Sequence, residues 1–258
     1  MVNIGSWMGA AWDLFAKQWG NWLLLMIAFL FLSSVPMVLG FVAFAILMGV
    51  NMTPGDMEAM ARNLDKISSQ RYADPEPMIN ELMKGGAVGD LQQFLIITGL
   101  VVLFTVFVWS LIVPPLTAGI YRAAFNQMRT GQLEISDLFM GFEVFWPSVI
   151  GMGVVGLLIA AGLCLCIVPG LYIAITSYLM LPLLAEKRQG FRAALRDSRR
   201  IVRQDFWSFA LYFLLGAVIL GISSAICGLL VLVTSPLMHL MLAVAVRETV
   251  GEIGRAHV

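Results

Sequence analysis

Residues 137–168 read DLFMGFEVFWPSVIGMGVVGLLIAAGLCLCIV: an Asp-Leu-Phe, a Trp nine residues after the Asp, then an uncharged apolar run. The same phrase opens the chain as Asp13-Leu14-Phe15 ahead of Trp22, and a weaker form sets Asp197 nine residues before Phe206-Trp207. An internal period of this kind defines architecture before any single residue does. It divides the chain into three related units, each a surface helix, an aromatic anchor at the membrane interface and a pair of spanning helices.

Composition places those units in a bilayer. Hydrophobic residues make up 60% and charged residues 12% of the 258, with a mean hydropathy of +0.88, far from the roughly 25% charged residues of soluble domains. Sixteen basic residues balance sixteen acidic ones, which gives no reason to expect a nucleic-acid partner. Crossing a hydrocarbon core of about 30 Å takes about 20 apolar residues, and six such segments are legible. The expected fold is an all-α integral membrane protein, with six transmembrane helices in three hairpins, each preceded by an interfacial amphipathic helix, and an external helical insert. The boundaries are an interfacial helix at 1–20, crossings at 21–50 and 91–113 around the insert at 51–90, and a cytoplasmic elbow at 114–145. Crossings at 146–168 and 171–185 follow, then a basic cytoplasmic helix at 186–205, crossings at 206–226 and 228–246, and a tail at 247–258. The run beginning at Trp22 follows about twenty amphipathic residues and exceeds a signal-peptide core, so the first helix is expected to remain.

Orientation follows the basic residues. With both ends on one side, that side holds 12 of them, seven between Lys187 and Arg203, and the other holds Arg62, Lys66, Arg71 and Lys84 alone. Both termini are therefore expected in the cytoplasm.

Helical spacing marks the surface segments. Ile4, Trp7, Met8, Ala11, Leu14, Phe15 and Trp19 form a stripe that would lie in the interface plane with its Trp rings at headgroup depth. In the elbow, Pro114-Pro115 closes the second crossing and Gly131 separates a helix over 116–128 from a short one over 135–142. The third surface segment has Phe191, Ala194, Leu195, Ser198, Ile201 and Val202 on one face and Arg192, Arg196, Arg199 and Arg203 on another. These four arginines are candidate contacts for anionic lipid, worth about 1 kcal/mol each beside a charged leaflet; alternatively they enforce topology and snorkel from a packed helix. In the insert, Met57, Met60, Leu64 and Ile67, then Met78, Ile79, Leu82 and Met83, form two short amphipathic faces. Two such helices bury no core of their own, so they are expected to pack on the membrane domain, on lipid or on another copy of the chain; Met-rich faces adapt to many partners.

Catalytic chemistry is sparse. His239 is the one titratable Asp, Glu, Lys, Arg or His in the apolar segments. An intramembrane ionisable group is a functional candidate by default, although a neutral His bonded to a neighbouring helix is the commoner arrangement. Cys164, Cys166 and Cys227 fall near external helix ends, where Cys-x-Cys is a weak metal signal without further ligands, and a bridge from Cys227 to either of the others stays open. Neither a phosphate-binding Gly loop nor a nucleophile elbow occurs, so no enzyme, cofactor or metal site is expected. Small residues recur every four positions at Gly156 and Ala160 and at Ala217, Gly221 and Ala225, faces that favour close helix packing within or between chains.

Pro114-Pro115-Leu116-Thr117-Ala118-Gly119, then Asp137-Leu138-Phe139 and Gly141-Phe142, resemble a family of bacterial six-helix inner-membrane proteins, the YciC-like proteins. Leu181-Pro182-Leu183 and the Gly190 to Ser198 segment with Ala193-Ala194 add to the likeness, which extends to the membrane domain fused to some glycerophosphodiesterases. It covers residues 91–250 well and the first unit loosely. The resemblance implies a bacterial inner-membrane location and six helices; it carries no catalytic or ligand-binding residue across. The expected role is a non-enzymatic inner-membrane protein that organises lipid or protein as a homo-oligomer. The alternative is a channel or passive transporter, for which Ser33, Thr98, Thr105, Thr176 and Ser224 are among the few polar side chains available to line a path.

Overall fold

The computed structural model describes residues 4–51, 55, 58, 61–62, 65, 87–187, 189–226 and 228–255, and these are helical apart from short joints. Met57, Met60, Leu64, Ile67, Met78, Ile79, Leu82, Met83 and Cys227 lie outside the described residues. The elements are α1 (Ile4–Lys17), α2 (Trp19–Asn51), α3 (Ala87–Thr130), a 3-10 elbow helix (Ile135–Val144), α4 (Phe145–Leu165), α5 (Ile167–Ser177), α6 (Met180–Lys187), α7 (Phe191–Gln204), α8 (Phe206–Ile226), a 3-10 turn (Gly228–Leu230) and α9 (Val231–Arg255). Among the described residues six helical stretches are long and apolar enough to cross a membrane, which makes this a multi-pass membrane protein. Their outward faces carry large apolar side chains such as Phe31, Phe41, Phe107, Leu157 and Leu214. In water such surface would be a liability, and in lipid it is the solvated face.

The chain forms two compact units, residues 34–109 and the remainder. In the first, Met48, Ile97 and Val101 are buried together with Phe44 and Phe94 against them. Gly40 faces Thr105, whose hydroxyl occupies the space a Cβ would take. That hydroxyl donates to Val101 O at 2.8 Å, within its own helix.

The larger unit holds the main core. α1 buries Trp7, Ala11 and Phe15, at intervals of four, against α9. Trp7 is 2% exposed, its ring 5.8 Å from that of Phe209. Its Nε1 donates to Glu248 at 2.7 Å, the partner a buried indole needs. The expectation of Trp rings at headgroup depth therefore divides: Trp7 belongs to the protein interior, while Trp12 and Trp19 are exposed. The physical reason is that α9 presents a second apolar face, Leu240 to Val246, and protein packing there takes the stripe that lipid would otherwise cover.

α3 runs through Pro114-Pro115 without a break, where the sequence predicts the end of a crossing. Proline removes a donor but is tolerated where neighbouring groups satisfy the freed carbonyls. α3 ends instead at Gly131, with φ of +76° and its N–H on Gln127 O at 2.9 Å, the left-handed cap that glycine adopts without strain. α4 and α5 meet at Gly162 and Gly170, where a Cβ on Gly162 would come within 2.8 Å of the Gly170 backbone. By contrast, Gly156, Ala160, Ala217, Gly221 and Ala225 are all exposed, and a Cβ on Gly156 or Gly221 would meet nothing. The close approaches use other glycines than those the four-residue spacing singles out.

Candidate functional site

α7 owes its amphipathicity to a strict division of faces. Ala194, Ser198, Ile201 and Val202 are buried, and Ser198 Oγ donates to Thr176 O at 2.7 Å, which fastens the helix to the last turn of α5. The other face carries Arg192, Arg196, Arg199 and Arg203, joined by Arg200, along an open groove of about 580 Å³ that Leu195 and Gln204 complete. Asp197 is the one acid in α7, and it is occupied at the start of the helix by Lys187 Nζ at 3.3 Å and Gln189 Nε2 at 3.3 Å. Arg203 Nε donates to the Tyr172 hydroxyl at 3.0 Å, and Arg192 lies over the Phe191 ring at 5.9 Å. Among the described residues Arg196, Arg199 and Arg200 have no carboxylate partner. The site is thus a concentration of cationic donors on a helix whose own acid is spent elsewhere. Arg200 was not among the expected contacts, although its spacing of four from Arg196 and eight from Arg192 would have found it.

The elbow brings the resembling motifs together in space. Gly119 on α3 and Gly141 on the elbow helix cross backbone to backbone. A Cβ on Gly119 would overlap the Leu138 carbonyl, and one on Gly141 would overlap Pro115 O. Leu138 is fully buried and Asp137 is 1% exposed. Burial of that carboxylate is possible because the Asn126 amide donates to both its oxygens, at 3.2 and 3.0 Å, and Glu134 N–H donates at 3.2 Å; buried charge without such partners would be severely unfavourable. Gln127 closes the other side of the elbow. Trp22 Nε1 donates to its Oε1 at 2.9 Å, and its own Nε2 donates to Leu14 O at 2.8 Å. Gln18 donates to Gly131 O at 2.6 Å, Asn21 to Leu133 O at 3.1 Å and Arg247 to Met128 O at 3.0 Å. An open groove of about 820 Å³ beside this clamp is lined by Asp13, Lys17, Arg247 and Glu248 among others.

His239 is half-buried and engages its own helix, with Nδ1 2.7 Å from Ser235 O and the Tyr121 ring at 5.3 Å. Cys164 and Cys166 are exposed, and among the described residues neither is bonded to another cysteine. Among the described residues no cluster of His, Cys, Asp and Glu gathers to hold a metal ion. The hydroxyls of Ser33, Thr105, Thr176 and Ser224 each donate to a carbonyl of their own helix. The chain matches no protein-family model, no curated protein and no solved structure.

Proposed function

We propose that this is a non-enzymatic protein of the bacterial inner membrane that organises lipid, gathering anionic headgroups on the arginine face of α7 and assembling with copies of itself. The observation that carries this reading is the cationic face of α7, whose Arg196, Arg199 and Arg200 have no carboxylate partner among the described residues, held by a buried serine and an apolar stripe so that its arginines share one groove. Guanidinium groups bind phosphate bidentately, and a basic helix beside a charged leaflet gains about 1 kcal/mol per residue. The exposed small-residue faces of α4 and α8 support assembly, since in lipid such faces let helices of neighbouring chains approach closely. The resemblance to the YciC-like family suits a six-helix inner-membrane protein in which each hairpin follows a surface helix.

Replacing Arg192, Arg196, Arg199 and Arg203 together with Gln would remove up to about 4 kcal/mol of attraction to an anionic leaflet, so co-purified anionic lipid should fall sharply in a correctly inserted variant. Unchanged lipid content would leave α7 a topological role alone. Native mass spectrometry in mild detergent counts subunits, and a monomer would remove assembly from the proposal. Orientation has its own check. In a Cys-free background, a cysteine at Asn63 should react with an impermeant thiol reagent in intact cells and one at Gln189 should not; the reverse pattern inverts the topology.

A further inference from the structure

Arg122 is buried on α3, 6% exposed, and its surroundings leave it incomplete. Nη1 donates to Glu143 Oε2 at 2.7 Å. Nε and Nη2 are buried with no acceptor among the described residues. A guanidinium never sheds its charge and carries five N–H donors, so three of the five, the one on Nε and the two on Nη2, have nothing to donate to. Buried donors in native proteins are nearly always satisfied, and one left over calls for an ordered water or an ion.

The space to supply it is adjacent. Arg122 lines a pocket of about 150 Å³ together with Asn126, Arg129, Met140 and Glu186, room for about five waters at roughly 30 Å³ each. Arg129 reaches the same pocket, 58% exposed and paired through Nη2 with Glu186 at 2.6 Å. That pair neutralises the pocket's one carboxylate, while the Asn126 amide is committed to Asp137. Arg122 shares its charge with the half-exposed Glu143 through Nη1, and what it keeps over is the Nε–Nη2 edge, whose donors have no acceptor among the described residues. Two free donors on the Nε–Nη2 edge form the fork that matches two oxygens of one oxyanion.

We propose that this pocket is a binding site for a phosphate group, with Arg122 as its principal ligand and Arg129 as its outer one. It is separate from the arginine face of α7 and goes beyond the role proposed for that face. The phosphate has two possible sources. One is a lipid headgroup and the other is inorganic phosphate, and both offer the same oxyanion to the fork.

The experiment uses the full chain, delipidated in neutral detergent and titrated with inorganic phosphate at constant ionic strength against chloride, reading the melting midpoint. A parallel arm places it in phosphatidylcholine nanodiscs with and without phosphatidic acid. Wild type should be stabilised saturably in at least one arm, since a ligand bound to the folded state alone raises stability by mass action. The arm that responds identifies the source. R129Q, at an exposed position that leaves the fold intact, should weaken binding about tenfold, the loss of one charge-assisted contact. R122K keeps the charge but not the fork and should weaken it at least as much. The variant with Gln at Arg192, Arg196, Arg199 and Arg203 loses the part of the response that belongs to α7, and adding R122K to it should lower what remains as it does in wild type. No stabilisation in either arm, equal stabilisation in wild type, R129Q and R122K, or an α7 variant whose response R122K leaves unchanged would overturn the site.

Discussion

The two copies of Asp-Leu-Phe share three residues and the distance to the following Trp, yet they bury opposite ends. At 13–15 Asp13 is exposed and Phe15 is 6% exposed; at 137–139 Asp137 and Leu138 are buried and Phe139 is 53% exposed. The helix type decides. α1 buries Trp7, Ala11 and Phe15 at intervals of four, whereas the elbow helix buries Leu138, Gly141 and Val144 at intervals of three, the period of a 3-10 helix. What wound the second copy more tightly is the crossing at Gly119 and Gly141, where backbone meets backbone and Leu138 must point inward. The comparison teaches that a short motif fixes neither its helix nor its register; the partner surface does.

The largest way to break it is steric. Gly119→Ala or Gly141→Ala drives a methyl into backbone that has no rotamer to yield, at a cost of about 3 kcal/mol or more, while Gly9→Ala on α1 meets nothing and should stabilise by roughly 0.5–1 kcal/mol. Thermal unfolding in detergent would separate them by many degrees, and equal midpoints would show that the crossing is not tight. Next is the reversed burial. Phe15→Ala should cost about 3 kcal/mol and Phe139→Ala under about 1 kcal/mol; a reversed order would mean that the second copy shares the register of the first. The smallest effect sharpens the polar side. Asp137→Ala strands the Asn126 amide and the Glu134 N–H and should cost about 2 kcal/mol, against roughly 0.5 kcal/mol or less for Asp13→Ala. Melting midpoints that moved alike in the two variants would remove the carboxylate from the account of the elbow.

What the sequence made legible depends on how many partners a property needs. The six apolar stretches were readable because lipid solubility belongs to each segment alone, and so was the cationic stripe of α7, which helical spacing assembles by itself. The burial of Trp7 was not, since its stripe on α1 suits a membrane surface and a protein groove equally until α9 is known to offer Leu240 to Val246. Nor was the passage of α3 through Pro114-Pro115, which local preference alone would end. Arg122 illustrates the same limit among charges. Counted by position it is one more basic residue on the side expected to face the cytoplasm; only the fold shows a buried guanidinium beside Glu143 with donors to spare.

The bond between Trp7 and Glu248 joins residues 241 positions apart. A ribosome adding about 5–20 residues per second needs on the order of 10 to 50 s to travel between them, and for that interval α1 has emerged while the groove on α9 does not yet exist. During synthesis the stripe of Trp7, Ala11 and Phe15 must be kept from other apolar surfaces by the bilayer interface or by a chaperone. A chain stalled before α9 leaves that stripe uncovered.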